Sequence, residues 1–254
     1  MIKSLIIAIS MYSKIPVPQF EWKERELRYV LCFFSFIGVI IGLVEWGWYV
    51  LCNHLQIGEA AYSAVGTAIP ILITGGFHID GYMDTMDAIH SYQPRERKLE
   101  ILKDSHIGAF AVIMLVCYIL LYVAGYSMLV DERCFALFCS TFVVSRILSG
   151  LSLMTFPKAK TEGMLATFAD AAHKKVVVLG LALELLVTMV FMLWCDVDVG
   201  IIAIAAAGVA FLYYNVFSRK HFGGITGDIA GYFVTVCELV MLIGIVIGES
   251  IFRR

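Results

Sequence analysis

Charge is what this 254-residue chain has little of: Lys, Arg, Asp and Glu make up 16% of it, while 60% is hydrophobic. Soluble domains run nearer 25% charged and about 45–50% apolar. That shortfall excludes an ordinary soluble globular domain and implies a polytopic membrane protein. The chain also has no CxxC pair. Its seven cysteines, at 32, 52, 117, 134, 139, 195 and 237, lie mostly inside apolar runs. They read as small buried hydrophobes rather than as zinc ligands or disulfide partners. No A-x-A-like cleavage site follows the apolar start MIKSLIIAIS, so this segment reads as a retained interfacial piece and not as a signal peptide. There is no internal repeat and no low-complexity linker, and residues 1–254 read as one domain.

What is present is a series of apolar segments long enough to span about 30 Å of hydrocarbon. They cover 29–52, 59–77, 107–130, 134–155, 176–194, 197–217 and 228–250. The expected fold is therefore all-α: a polytopic membrane bundle of about seven transmembrane helices with short cytoplasmic or interfacial helices. Gly75 and Gly76 interrupt the second segment. Basic residues fall unevenly. Lys3, Lys14, Lys23, Arg25, Arg28, Arg95, Arg97, Lys98, Lys103, Lys158, Lys160, Lys174, Lys175, Arg219 and Lys220 are fifteen of nineteen, and a seven-span path puts all of them on one side. That side is expected to be cytoplasmic. Arg253 and Arg254 end on the other side, against the rule. The polar residues gather at one membrane face, whereas a transporter places them near the midplane.

The stretch GGFHIDGYMDTMDAIHS, residues 75–91, carries three aspartates with no Lys or Arg between them. On a helix over 79–90, Asp80 and Asp84 are i,i+4 and Asp84 and Asp87 are i,i+3, so all three share one face. Like charges so placed repel one another, and a divalent cation reverses the sign of that interaction. Oxygen-only ligands suit Mg²⁺, with Mn²⁺ as the alternative, over zinc. The competing reading is a solvated acidic helix face. His78, two residues before Asp80, points elsewhere on such a helix; it and His90 touch phosphate or simply sit at the interface. Downstream, Asp104 and Ser105 precede a new apolar run where a helix N-cap belongs. Capping and a metal or phosphate role are both open there, and His106 could cover a phosphate.

A second cluster, RKHFGGITGDIAGYF, spans 219–233. Gly223, Gly224, Thr226 and Gly227 precede Asp228 and the last span. Such glycines let backbone N–H groups approach an anion at a helix N-terminus. The pattern is not G-x-x-x-x-G-K-[ST], so it is no Walker loop; an ordinary turn capped by Asp228 is the alternative. Arg146 lies inside the apolar run TFVVSRILSGLSLM. An arginine at that depth takes a phosphate or an acidic partner, here Glu45, Glu184 or Glu238.

Taken together these segments resemble one family. GGFHIDGYMDTMDA is similar to the aspartate signature of the cobalamin (5′-phosphate) synthases, or adenosylcobinamide-GDP ribazoletransferases. KDSHIGAFAV, GGITGDIAG, YSKIPVP and FFSFIGVIIG resemble further segments of the same family, in order over residues 11–233. Ala88 stands where the family commonly has glycine, and His106 where it often has arginine. The resemblance implies an integral-membrane transferase of the bacterial cytoplasmic membrane with its active site facing the cytoplasm. It would join adenosylcobinamide-GDP to α-ribazole, or its 5′-phosphate, and release GMP with Mg²⁺. Asp80, Asp84, Asp87, Asp104 and Asp228 are the expected metal set. Asp84 and Asp87 are the catalytic carboxylates, with Asp87 accepting the ribazole hydroxyl proton. His78, Ser105, His106, Arg146, Gly223, Gly224, Thr226 and Gly227 are the expected substrate and phosphate contacts. No nucleic-acid partner is expected; pairing with a second copy or with other cobalamin-assembly enzymes is left open. A phosphotransferase of CDP-alcohol type and a cation-coupled transporter are the rival readings.

Overall fold

A computed structural model describes residues 1–18, 20, 22–159 and 171–252. Lys160, Arg253 and Arg254, counted in the charge argument above, lie outside the described residues. The fold is a polytopic helical bundle. Its helices are α1 (Ile2–Tyr12), α2 (Glu24–Leu27), α3 (Phe34–Leu55), α4 (Glu59–Thr74), α5 (Phe77–His90), α6 (Arg95–Ile101), α7 (Ala109–Ser127), α8 (Glu132–Thr155), α9 (Lys174–Cys195), α10 (Val197–Phe222) and α11 (Gly227–Phe252). Among the described residues, six helical runs are long and apolar enough to cross a membrane, and α4 with α5 makes a seventh if the bent pair is taken as one. The chain is an integral membrane protein on that evidence. All seven cysteines are free thiols. α1, at 11 residues, is too short to cross a bilayer. It tucks Ile7 and Ala8 against Val30 instead.

The second expected span ends early. α4 runs 16 residues, about 24 Å of rise, and then Gly75 and Gly76 both take the left-handed conformation at φ 66° and 80°. α5 leaves the axis of α4 at 95°. At that angle α5 cannot continue a crossing along the axis of α4. Pro70, inside α4, is not where the chain turns. Gly75 also leaves room for the Lys14 side chain, which lies across it. The Lys14 N–H donates to the Ile73 carbonyl at 2.8 Å, which ties the YSKIPVP segment to the break.

Close helix approach is carried by glycine, as expected where lipid supplies no hydrophobic drive between helices. On α3, Gly38 and Gly42 lie one turn apart and face the backbone of α8. A Cβ at Gly42 would stand 2.8 Å from the Cys139 carbonyl oxygen, and one at Gly38 would collide with that of Phe142. α5 meets α11 in the same way. A Cβ on Gly81 would come within 2.6 Å of the Asp228 carbonyl oxygen, while one on Gly231 would sit 3.3 Å from the His78 Cα. Thr235 Oγ1 donates to the His78 carbonyl at 3.2 Å. Residue 81 against 228, and 78 against 231 and 235, is an antiparallel crossing.

Several buried polar groups within the bundle pair with one another. Arg146 Nη1 donates to Glu238 Oε1 at 2.6 Å, with both side chains nearly closed to solvent. Ser145 Oγ joins the same carboxylate at 2.9 Å. The Tyr126 hydroxyl donates to Glu45 at 2.7 Å, and Ser35 to Glu184 at 2.6 Å. The outward faces are apolar. Leu179, Leu183, Leu186 and Val190 form an exposed stripe along α9, the surface that a lipid-facing helix presents.

The two glycines of the α5–α11 crossing should respond unequally. Gly81→Ala forces backbone apart and should cost about 1–3 kcal/mol, read as a lower unfolding temperature in detergent by circular dichroism. Gly231→Ala needs only a few tenths of an ångström and should cost less than half as much.

Candidate active site

The α5–α11 crossing decides which carboxylates meet. α5 brings Asp80, Asp84 and Asp87 along one face, and Gly81 lets the first turn of α11, with Asp228, come against it. Asp80 is exposed, and Asp84 and Asp87 are half-buried. Burial, and then the charges of Asp80, Asp228 and Asp87, push the Asp84 carboxyl up to about 7. Every charge bearing on Asp84 is thus negative. Gly108, at the N-cap of α7, closes over Asp87; a Cβ there would overlap its carboxylate oxygens. The structure therefore groups four of the five aspartates expected from sequence.

Asp104 is placed differently. α7 starts at Ala109 with Gly108 as its cap, so Asp104 and Ser105 do not cap it. Asp104 Oδ1 instead accepts from the His106 backbone N–H at 3.0 Å and from its ring Nδ1 at 2.6 Å. Those two contacts hold the Asp104 carboxyl below the usual carboxylate range. It is not among the charges acting on Asp84. Ser105 and His106 are exposed.

The glycine loop also differs from expectation. Gly223 ends α10 in the left-handed conformation at φ 75°, its N–H donating to the Arg219 carbonyl. The Gly224 N–H donates to Ser218 O at 3.1 Å and the Ile225 N–H to Pro157 O at 2.9 Å. Ala159 N–H returns a bond to Ile225 O at 3.0 Å, so residues 157–159 and 225 pair like two short strands. The amides at 223, 224 and 225 are thus occupied and cannot cradle a phosphate. Gly224 serves this pairing: a Cβ there would collide with Pro157 O. Thr226 Oγ1 accepts from the Ile229 N–H at 3.3 Å, so Thr226, not Asp228, provides the side-chain cap. The anion-facing amides that remain to this loop belong to the first turn of α11.

Arg146 is taken by Glu238, one of the three acidic partners considered, and its side chain is 1% exposed. A phosphate could reach it only by displacing a buried ion pair. His78 is buried at the start of α5 with neither ring nitrogen bonded. His90 is bonded to Met86 O through Nδ1 at 2.8 Å and stacks on Phe110. Arg95 was not singled out from sequence. Its guanidinium lies against Gly223, which puts an exposed cation at the glycine loop. Its place in the basic 91–106 loop was the only signal.

Among the described residues, no three His, Cys, Asp or Glu side chains converge to hold an ion unaided. A family model for cobalamin-5-phosphate synthase matches residues 4–246. The chain belongs to the cobalamin-5-phosphate synthase family. Among relatives, an adenosylcobinamide-GDP ribazoletransferase of Lachnoclostridium phytofermentans is 46% identical over 98% of this chain and 95% of its own. Proteins of the same name from Clostridium perfringens and Geobacillus thermodenitrificans are 29% and 30% identical, over 96% and 93% of this chain and 98% and 92% of theirs. No solved structure matches. Family membership covers both clusters, because the match encloses α5 and the start of α11 alike.

The raised Asp84 carboxyl has a consequence for stability. An acid whose folded pKa is about 7, against 3.8 unfolded, keeps its proton in the fold while the unfolded chain loses it. Stability therefore falls as pH rises from about 4 to about 7 and stays low above. Asp84→Asn should remove that loss. In chelator, its unfolding temperature should exceed the parent's at pH 8 by the equivalent of about 1–2 kcal/mol after solvent screening. The difference should vanish near pH 4.

Proposed function

We propose that this protein transfers the adenosylcobinamide-phosphate group of adenosylcobinamide-GDP to α-ribazole or its 5′-phosphate, releasing GMP, with Mg²⁺ held at the α5–α11 carboxylates. The observation that carries the reading is that Asp80, Asp228 and Asp87 all act as negative charges on the half-buried Asp84. Carboxylates gathered in that way favour a bound cation. Mg²⁺ is commonly held by one or two carboxylates plus substrate phosphates rather than by a complete protein cage. Asp80 and Asp84 would hold the ion, with Asp228 next to them across the crossing. When bound, the ion neutralises charge on the pyrophosphate.

The remaining roles fall to the chain itself. First-turn amides of α11 and the Arg95 guanidinium orient phosphate oxygens from the loop side. Asp87, fixed under Gly108, accepts the proton of the attacking ribazole hydroxyl. Holding nucleophile and phosphorus in line supplies most of the rate enhancement in phosphoryl displacement. Asp104 and His106 are bonded to each other on the exposed 103–107 segment. The bias of basic residues toward one side supports a cytoplasmic face for the site, and the bacterial relatives support the bacterial cytoplasmic membrane as its location.

Purified protein in detergent, given adenosylcobinamide-GDP, α-ribazole and Mg²⁺, should release GMP, and EDTA should stop it. Asp84→Asn should reduce the rate at least about 100-fold and should lose the thermal stabilisation that Mg²⁺ gives the parent. GMP release at the parental rate from Asp84→Asn, or release supported equally by a lipid alcohol, would sink the assignment.

A further inference from the structure

The N-terminal segment, α3, α5, α8 and the start of α11 enclose a cavity of about 230 Å³. Rings form much of its wall: Tyr12, Trp22, Phe34, Phe77 and His78. Tyr12 and Phe34 lie 4.3 Å apart between centroids, and Phe77 and His78 5.5 Å. Gly227 and Gly231 supply the α11 side. The cavity therefore abuts the turn that carries Asp228, which faces Gly81 between Asp80 and Asp84. Trp22 and Phe77 are also exposed on the outside of the protein.

Two features point to an occupant. His78 is only 6% exposed, and both its ring nitrogens lack a hydrogen-bond partner. Such a vacancy is costly unless something fills it. A neutral imidazole ring offers one donor and one acceptor. A half-turn about χ2 exchanges its nitrogens and carbons without changing the ring's outline. The second feature is size. At about 230 Å³ the cavity falls below the roughly 300–1,000 Å³ of pockets for whole ligands. One flat ring system fits; a corrinoid or an entire nucleotide does not.

We propose that this aromatic cavity is the subsite for the base of the acceptor, a benzimidazole stacked among Tyr12, Phe34 and Phe77 with its unsubstituted ring nitrogen accepting a hydrogen bond from His78. The inference rests on the transferase reading above. It places the ribose of the acceptor at the cavity's α11 edge, beside the carboxylates. Guanine and adenine, the other bases in the reaction, suit the cavity poorly. Each carries several polar ring and amino groups, which a wall of rings would leave unpaired. A benzimidazole riboside has a single free acceptor on its base and gains from stacking on rings.

Benzimidazole itself, which lacks the ribose and cannot act as acceptor, is the probe. It should bind the detergent-solubilised protein in equilibrium dialysis. In turnover it should compete with α-ribazole and not with adenosylcobinamide-GDP. Leu153→Trp, which fills the cavity from α8, should abolish that binding. His78→Phe keeps a ring in the wall and removes the donor. It should weaken benzimidazole binding, and raise KM for α-ribazole, about tenfold while KM for the GDP-linked substrate holds. No binding to the parent protein, binding that survives Leu153→Trp and His78→Phe alike, or competition with the GDP-linked substrate would overturn the assignment. Dialysis separates the two readings: bound benzimidazole without GMP release would refute the transferase reading and leave the cavity's ligand class standing.

Discussion

The approach of α5 to α11 at Gly81 is the constraint on which the rest of the structure depends. Only a residue without a Cβ lets the Asp228 backbone reach α5. That approach adds a fourth negative charge to a face that already carries three. The electrostatics of the crossing are unfavourable, as the raised Asp84 carboxyl shows, so apolar packing elsewhere must hold it shut. Tyr82 stacks on Tyr232 across the same pair of helices at 5.8 Å, and Tyr232 stacks in turn on Phe217 of α10 at 5.0 Å. Rings and glycines keep together what the charges would separate. Strain of this kind concentrates at functional sites and is compensated by the surrounding fold.

The interior of the bundle follows the opposite rule. Arg146 with Glu238, Tyr126 with Glu45 and Ser35 with Glu184 are closed pairs. Removing one partner of a buried ion pair leaves an uncompensated charge and is costly. These groups fix how α3, α7, α8, α9 and α11 sit against each other. Arg146, the most conspicuous charge in the sequence, is thus held by a neighbouring helix at membrane depth.

How much of this was legible in sequence follows from the range of each interaction. The spans could be read because hydropathy is a local, summed property: the expected 134–155 and 176–194 became Glu132–Thr155 and Lys174–Cys195. The stripe of Asp80, Asp84 and Asp87 was legible because helical spacing alone puts them on one face. The glycine loop misled for a nonlocal reason. Its N–H groups at 223–225 are spent on α10 and on Pro157, some 70 residues away in sequence, and no local pattern announces that pairing. Asp104 was ambiguous because N-caps and Asx turns use the same residue in the same way. The aromatic cavity could not be read at all, since its walls come from five separate segments.

A transferase that works on a water-soluble nucleotide and a flat aromatic base has a physical reason to sit at a membrane face. The carboxylates need water to stay ionised, so they belong on α5, which breaks away from the axis of α4. A benzimidazole gains from leaving water for a wall of rings, so its subsite belongs toward the apolar bundle, where Tyr12, Phe34 and His78 are packed. The first turn of α11 touches both environments: Asp228 on the charged side, Gly227 and Gly231 on the apolar side. An acceptor that spans that turn has its base held by burial and its hydroxyl delivered to the charged face. Orientation of the nucleophile then follows from the boundary between the two media, and glycine at 81 and 231 is what lets α5 and α11 meet along it.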